Sequence, residues 1–221
     1  MDDPALDHQM HDSALKALGR INLLSRSQNR VIQTIRTNFG KTTGPLKILD
    51  IASGGGDMAL GLSQFAKRHS LPWEVAGTDI SAHAVDYASQ RAREMGLETS
   101  FYRLDAVNQS LPQKYDIVMC HLFLHHLSEE DAGKLLKNMA ASASRLVLID
   151  DLLRSRLGYG LAWVGCRLLT RSWVVHHDGP ASVKSAFRMD EVSSLANAAG
   201  LTNHKIMKHW PERFMMTWSP Q

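Results

Sequence analysis

The sequence predicts an α/β fold, a mostly parallel sheet flanked by helices with one antiparallel strand near the C-terminal end. Three observations predict it. From residue 46 onward, short apolar runs alternate with helical patterns, the signature of strands joined by right-handed helical crossovers. The first of these runs meets its helix through a glycine-rich turn, Ser53-Gly54-Gly55-Gly56-Asp57. The last two runs are separated only by a short turn at Trp210-Pro211, so they pair as a hairpin and one of them opposes the rest.

The elements follow in order. The first 40 residues read as helical, with Leu15, Leu18, Ile21 and Leu24 and then Val31, Ile32, Ile35 and Phe39 at helical spacing. Gly40 and Thr42-Thr43-Gly44-Pro45 stop that pattern. Strands are expected at Leu46–Ile51, Glu74–Asp79, Thr99–Leu104, Tyr115–Cys120 and Arg145–Ile149. Helices are expected at Met58–Lys67, Ala82–Met95, Glu129–Ala140 and Asp190–Ala199. Ser128 and Asp131 form a capping box at the start of the third of these. Thr202–His209 and Arg213–Trp218 are the closing strands. The stretch of about residues 153–184 is longer than a crossover needs and reads as an insertion beside the strand ends, where specificity usually resides. The expected organisation is one domain over 1–221, with N-terminal helices in 1–45 forming a lid on a core over 46–221.

Composition narrows the class. The chain has 221 residues and a net charge of +3, with 44% apolar and 21% charged residues, as in ordinary globular proteins. No clustered basic module appears, so nucleic acid is not expected as a partner. Two cysteines, Cys120 and Cys166, exclude a disulfide framework. The acidic start MDDPALDHQM does not read as a secretory signal. The apolar stretch Leu157–Val175 carries Arg167 and Arg171 and does not read as a membrane span, although it leaves room for peripheral contact. A cytoplasmic protein, monomeric or homodimeric, is the expectation.

The glycine turn suggests a ligand, because glycines let the backbone approach one closely. Gly54-x-Gly56-x-x-Ala59 also fits the dinucleotide fingerprint. However, Asp50 ends the strand and Asp57 opens the helix. Carboxylates repel a diphosphate and attract the sulfonium and ammonium of S-adenosylmethionine. Asp79, ending the second strand, suits the hydroxyls of a ribose, and Asp105, after the third, suits an adenine amine. Three acids at three successive strand ends point to an adenosine ligand, and those at the turn favour the cationic one.

With these residues the chain resembles the class I S-adenosylmethionine-dependent methyltransferases. The resemblance rests on the Asp50–Asp57 loop, Gly77-Thr78-Asp79, Leu104-Asp105-Ala106 and Tyr115–His121. Its flavour is similar to the small-molecule enzymes of ubiquinone and menaquinone biosynthesis. The resemblance implies a Rossmann-like seven-stranded mixed sheet in the order 3-2-1-4-5-7-6, with strand 7 antiparallel. It implies a cofactor site at Asp50, Ala52, Ser53, Gly54, Gly56, Asp79, Ile80, Asp105, Ala106 and His121. Ala52 stands where the family usually has a glycine.

His121-Leu-Phe-Leu-His125-His126-Leu-Ser is similar to the H-D-W-S-D-E stretch of plant small-molecule O-methyltransferases. That likeness gives His125 the role of general base, without locating the acid that orients it. Strand four ends in Cys120-His121 and not in an acid, so the magnesium site of catechol-type relatives is not expected. His176-His177-Asp178 does not read as a metal site either. The function expected is methyl transfer from S-adenosylmethionine to a small, partly apolar acceptor, phenolic or quinone-like, most simply at oxygen. The alternatives are an NAD-binding oxidoreductase and a non-catalytic adenosine-binding protein of the same fold.

Overall fold

The computed structural model of the chain describes residues 27–40, 44–169 and 173–220. The part of the expected lid that falls on residues 1–26 lies outside the described residues. In chain order the elements are α1 (Ser27–Phe39), β1 (Leu46–Ile51), α2 (Asp57–Arg68), β2 (Trp73–Asp79), α3 (Ala82–Glu94), β3 (Ser100–Arg103) and β4 (Tyr115–His121). A short 3₁₀ turn (Leu124–His126) leads to α4 (Glu129–Ser142), β5 (Ala143–Leu152), α5 (Arg156–Leu169), α6 (Trp173–Ser185), α7 (Met189–Ala198), β6 (Lys205–His209) and β7 (Arg213–Trp218). The seven strands form one sheet in the order β3-β2-β1-β4-β5-β7-β6. β7 runs antiparallel to β5 and β6, and the remaining pairs are parallel.

Alternation along the strands sends side chains to two faces. Ile48, Ile117, Met119, Leu146, Leu148 and Met215 pack with α1 and α2. Leu49, Val118, Cys120, Val147, Ile149, Phe214 and Met216 pack with α4 and α7. Each fully buried Leu or Ile contributes about 1.5–3 kcal/mol. Val31, Ile32 and Ile35 of α1 are buried in the first cluster, so this described part of the N-terminal region is core. The expected insertion folds as the helical pair α5–α6. β5 runs three residues further than its apolar core suggests, which places Asp150 and Asp151 within the strand.

The Ser128 half of the expected capping box is present, and Ser81 caps a second helix. Ser128 Oγ accepts from the Asp131 N–H at 3.1 Å at the start of α4, and Ser81 Oγ accepts from Ala84 N–H at 3.3 Å at the start of α3. Gly56 precedes α2 with φ +80, where a side chain would be strained. A Cβ there would also lie 2.9 Å from Phe101 Cζ and 3.0 Å from Ala88 Cβ. We expect Gly56→Ala to destabilise the fold by about 2–4 kcal/mol in chemical denaturation. A loss below 0.5 kcal/mol would show that the turn adapts freely.

Candidate functional site

The strand ends β1, β2 and β4 meet above the glycine turn. The turn is tied to β2 by Ser53 N–H donating to Thr78 O at 2.9 Å and Gly54 N–H donating to Asp79 Oδ2 at 2.9 Å. Asp79 Oδ1 accepts from Ser81 N–H at 2.9 Å, so this carboxylate organises the turn and the start of α3 together. Gly54 has φ +51 and open space where a Cβ would stand. Ile80 is 60% exposed beside it, an apolar surface next to polar backbone. Ala52 and Leu122 follow β1 and β4 with φ 53 and 54. Left-handed backbone at two non-glycine residues on neighbouring strand ends stores about 1–3 kcal/mol each, and such strain gathers at functional sites.

Asp50 is the electrostatic focus. Its side chain is 1% exposed and its Oδ1 has no hydrogen-bond partner among the described residues. Burial, with the Asp79 and Asp57 charges adding to it, pushes the carboxyl up to about 8, against a weaker opposing bond from the Ala59 backbone. Asp57 differs from the sequence expectation. Arg91 of α3 donates to its Oδ1 at 2.5 Å and to Gly55 O at 2.6 Å, so Asp57 serves the loop and its charge is largely matched. A cationic group beside Asp50 would satisfy the orphaned oxygen, and the residues therefore fit a cationic ligand.

The third strand end is built differently. Asp105 Oδ1 accepts from the Val107 and Asn108 N–H groups at 3.1 and 3.2 Å, and Oδ2 accepts from Asn108 Nδ2 at 2.9 Å. The carboxyl is held below its usual value chiefly by the Asn108 bonds. Ala106 is buried, and its carbonyl accepts from Asn138 Nδ2 of α4 at 2.9 Å.

Two carboxylates of β5 point to opposite faces. Asp151, on the α4–α7 side, accepts at Oδ1 from His125 Nδ1 at 2.6 Å and at Oδ2 from His125 N–H at 3.1 Å. Both side chains are buried, at 1% and 5% exposure. Burial raises the Asp151 carboxyl, but the His125 interactions outweigh it and hold the group below its usual value. His125 Nε2 makes no hydrogen bond among the described residues. Asp151 thus fixes the ring with its other nitrogen available. The exposed His126 ring stacks on His125 with centroids 4.1 Å apart.

Asp150 faces the α1–α2 side. His209 Nε2 donates to its Oδ1 at 2.5 Å, and His121 Nε2 lies 3.2 Å from Oδ2. His209 Nδ1 also faces the Trp210 carbonyl at 2.9 Å. Arg213 bonds Ser27 and approaches His121 Nε2 at 3.4 Å. Burial raises the Asp150 carboxyl, and the His121 and His209 contacts with the Arg213 charge outweigh that and hold it well below the usual range. Its contribution to stability is present above about pH 4 and is lost as pH falls through the lower folded value. We expect His209→Ala to cost about 3–5 kcal/mol by stranding Asp150, and to move acid unfolding to higher pH. Unchanged acid unfolding would remove His209 from this account.

Among the described residues no group of three or more His, Cys, Asp and Glu is arranged to hold a metal ion. His176 and His177 lie within α6.

The strand order, the reversed β7 and the glycine turn at β1 define the class I methyltransferase fold. Residues 48–144 match the family model described as a methyltransferase domain. Residues 48–144 thus resemble that methyltransferase domain, and the sheet around them has the class I S-adenosylmethionine-dependent methyltransferase topology. It is 28% identical over 137 residues to the release factor glutamine methyltransferase of Streptococcus pneumoniae, covering 62% of this chain and 46% of that one. It is 28% identical over 120 residues to the ubiquinone biosynthesis O-methyltransferase of Serratia proteamaculans, covering 53% and 44%. The chain thus spans about half the length of these curated relatives. Among solved structures, the plantazolicin methyltransferase superimposes with a TM-score of 0.70 at 18% identity, over 96% of this chain and 91% of that one. The magnesium protoporphyrin IX methyltransferase of Synechocystis PCC 6803, solved with bound S-adenosylhomocysteine (SAH), does so at 0.65 and 17%, over 99% and 90%. These two likenesses speak for the fold.

Proposed function

We propose that the chain transfers the methyl group of S-adenosylmethionine to the hydroxyl of a small, partly apolar acceptor, phenolic or quinol-like. The observation that carries this reading is the buried His125–Asp151 pair, on the turn after β4 and near the end of β5, with β4 paired to the strand that leads into the glycine turn. The cofactor would be held by Asp50, Ala52, Ser53, Gly54 and Gly56 at the turn, by Asp79 and Ile80, by Asp105 and Ala106, and by His121. When bound, it supplies an electrophilic methyl group on a sulfonium. Asp50 answers the positive charge, and Asp79 holds the turn in place while offering its oxygens to a diol. Asp105 already fills its oxygens with its own turn, so its part is to shape the adenine end.

His125 takes the acceptor proton at Nε2. Asp151, ionised across neutral pH, holds the imidazole by Nδ1 and stabilises the imidazolium that forms. A hydroxyl needs this help, because its anion is the better nucleophile. The family match ends at residue 144, so the acceptor is read from this chain's own second half. Relatives named for ubiquinone biosynthesis support a quinone-like ring. The test is incubation with S-adenosylmethionine and a panel of phenols and quinols, followed by mass spectrometry. An O-methyl product supports the reading. Donor binding with methylation only at carbon or nitrogen would overturn it.

A further inference from the structure

Helix α5 carries an apolar stripe that nothing described covers. Leu157, Val164 and Leu168 are 60%, 47% and 79% exposed. With half-buried Leu161 they recur at intervals of four, three and four residues, which places them on one side of the helix. The opposite side is spoken for. Gly158 meets Ser155 and Glu212, and Cys166 packs where a side chain at Gly179 of α6 would collide. Along one edge of the stripe stand Arg156, Trp163 and Arg167. The Arg167 guanidinium lies 4.0 Å from the Trp163 ring centroid. From Leu152 to His177 the sequence has four arginines and no acidic residue.

We infer that α5 docks on an anionic lipid surface. Arginines and a tryptophan bordering an apolar stripe match the headgroup and upper acyl regions of a bilayer. A protein partner would have to bring carboxylates to meet these arginines, whereas an anionic lipid surface supplies negative charge along the whole stripe. The helix has 14 residues, about 21 Å, so it lies in the interface and does not cross a core of about 30 Å. Its partner α6 packs on the turn that carries His125. The α5–α6 pair therefore stands between a bilayer on the stripe and the turn that carries His125.

The test is co-sedimentation of the full chain with vesicles of phosphatidylcholine alone and of an equimolar phosphatidylcholine–phosphatidylglycerol mixture. The expected result is binding to the anionic vesicles that weakens with salt. Leu157→Ser/Val164→Ser/Leu168→Ser should bind at least ~10-fold more weakly. Arg156→Gln/Arg167→Gln should bind roughly 10-fold more weakly and lose much of the salt dependence. Both should keep the wild-type circular dichroism and thermal midpoint. Three results overturn the inference: no binding by the wild type, equal binding by the triple-serine variant, or a stable dimer in sedimentation that the same serines dissolve. Binding is read without donor or acceptor, so its failure leaves the methyl-transfer reading standing.

Discussion

We expect His125→Ala to lower turnover with a phenolic acceptor by about 10²–10⁴-fold, while the affinity for S-adenosylmethionine stays within about two-fold. The effect is large because the hydroxyl must lose its proton as the methyl group arrives, and His125 Nε2 is the nitrogen left open by the bond to Asp151. Asp151→Asn gives a loss of similar size for a different reason. The amide no longer favours the proton on Nδ1 and cannot stabilise the imidazolium. Its second oxygen position also faces the His125 backbone N–H, so some stability is lost with it, about 1–3 kcal/mol. Steady-state kinetics with separate calorimetry of the donor checks both. Undiminished turnover in His125→Ala would remove the base while leaving the donor site intact.

We expect Asp50→Asn to have two opposite effects. It weakens the cationic donor by about 10²-fold, through loss of a buried charge partner, and it stabilises the empty protein. The second effect follows from the carboxyl being pushed up to about 8 by burial. The unfolded chain ionises near 4. Between these values the folded state holds the extra proton, so stability falls as pH rises from about 4 to 8 and is flat beyond. At pH 7 this amounts to a cost of about 2–4 kcal/mol, which an amide does not incur. Donor affinity should correspondingly rise by up to ten-fold per unit from pH 6 to 8, with release of nearly one proton at pH 7. Thermal denaturation against pH, with calorimetry in buffers of different ionisation enthalpy, reads all three effects. An Asn variant that is less stable and binds the donor as well would reverse this account of Asp50.

The fold was legible because its signals are local. The glycine turn, the S-x-x-D cap at Ser128 and the closing hairpin each fix an element without knowledge of its neighbours, and the strand order followed from the resemblance. The placement of candidate residues was legible where a strand end sets it, with Asp50 near the end of β1 and Asp79 closing β2. It was not legible where two strands must be paired first. Asp151 is 26 residues from His125, and only the β4–β5 register brings them together. Period-two alternation would have separated Asp150 from Asp151 had the strand been drawn to its full length. Asp57 was misjudged because its partner, Arg91, lies on the next helix. The His121–Asp150–His209 contacts join β4, β5 and β6, and no spacing in the chain announces them.

The most direct measurement is titration calorimetry of the full chain with S-adenosylmethionine and, separately, with NAD and NADH. The account predicts one-to-one binding of S-adenosylmethionine, weakened about 10²-fold in Asp50→Asn, and no heat with either nicotinamide nucleotide. Saturable NAD binding that S-adenosylmethionine cannot displace, or no binding of the methyl donor at all, would contradict it.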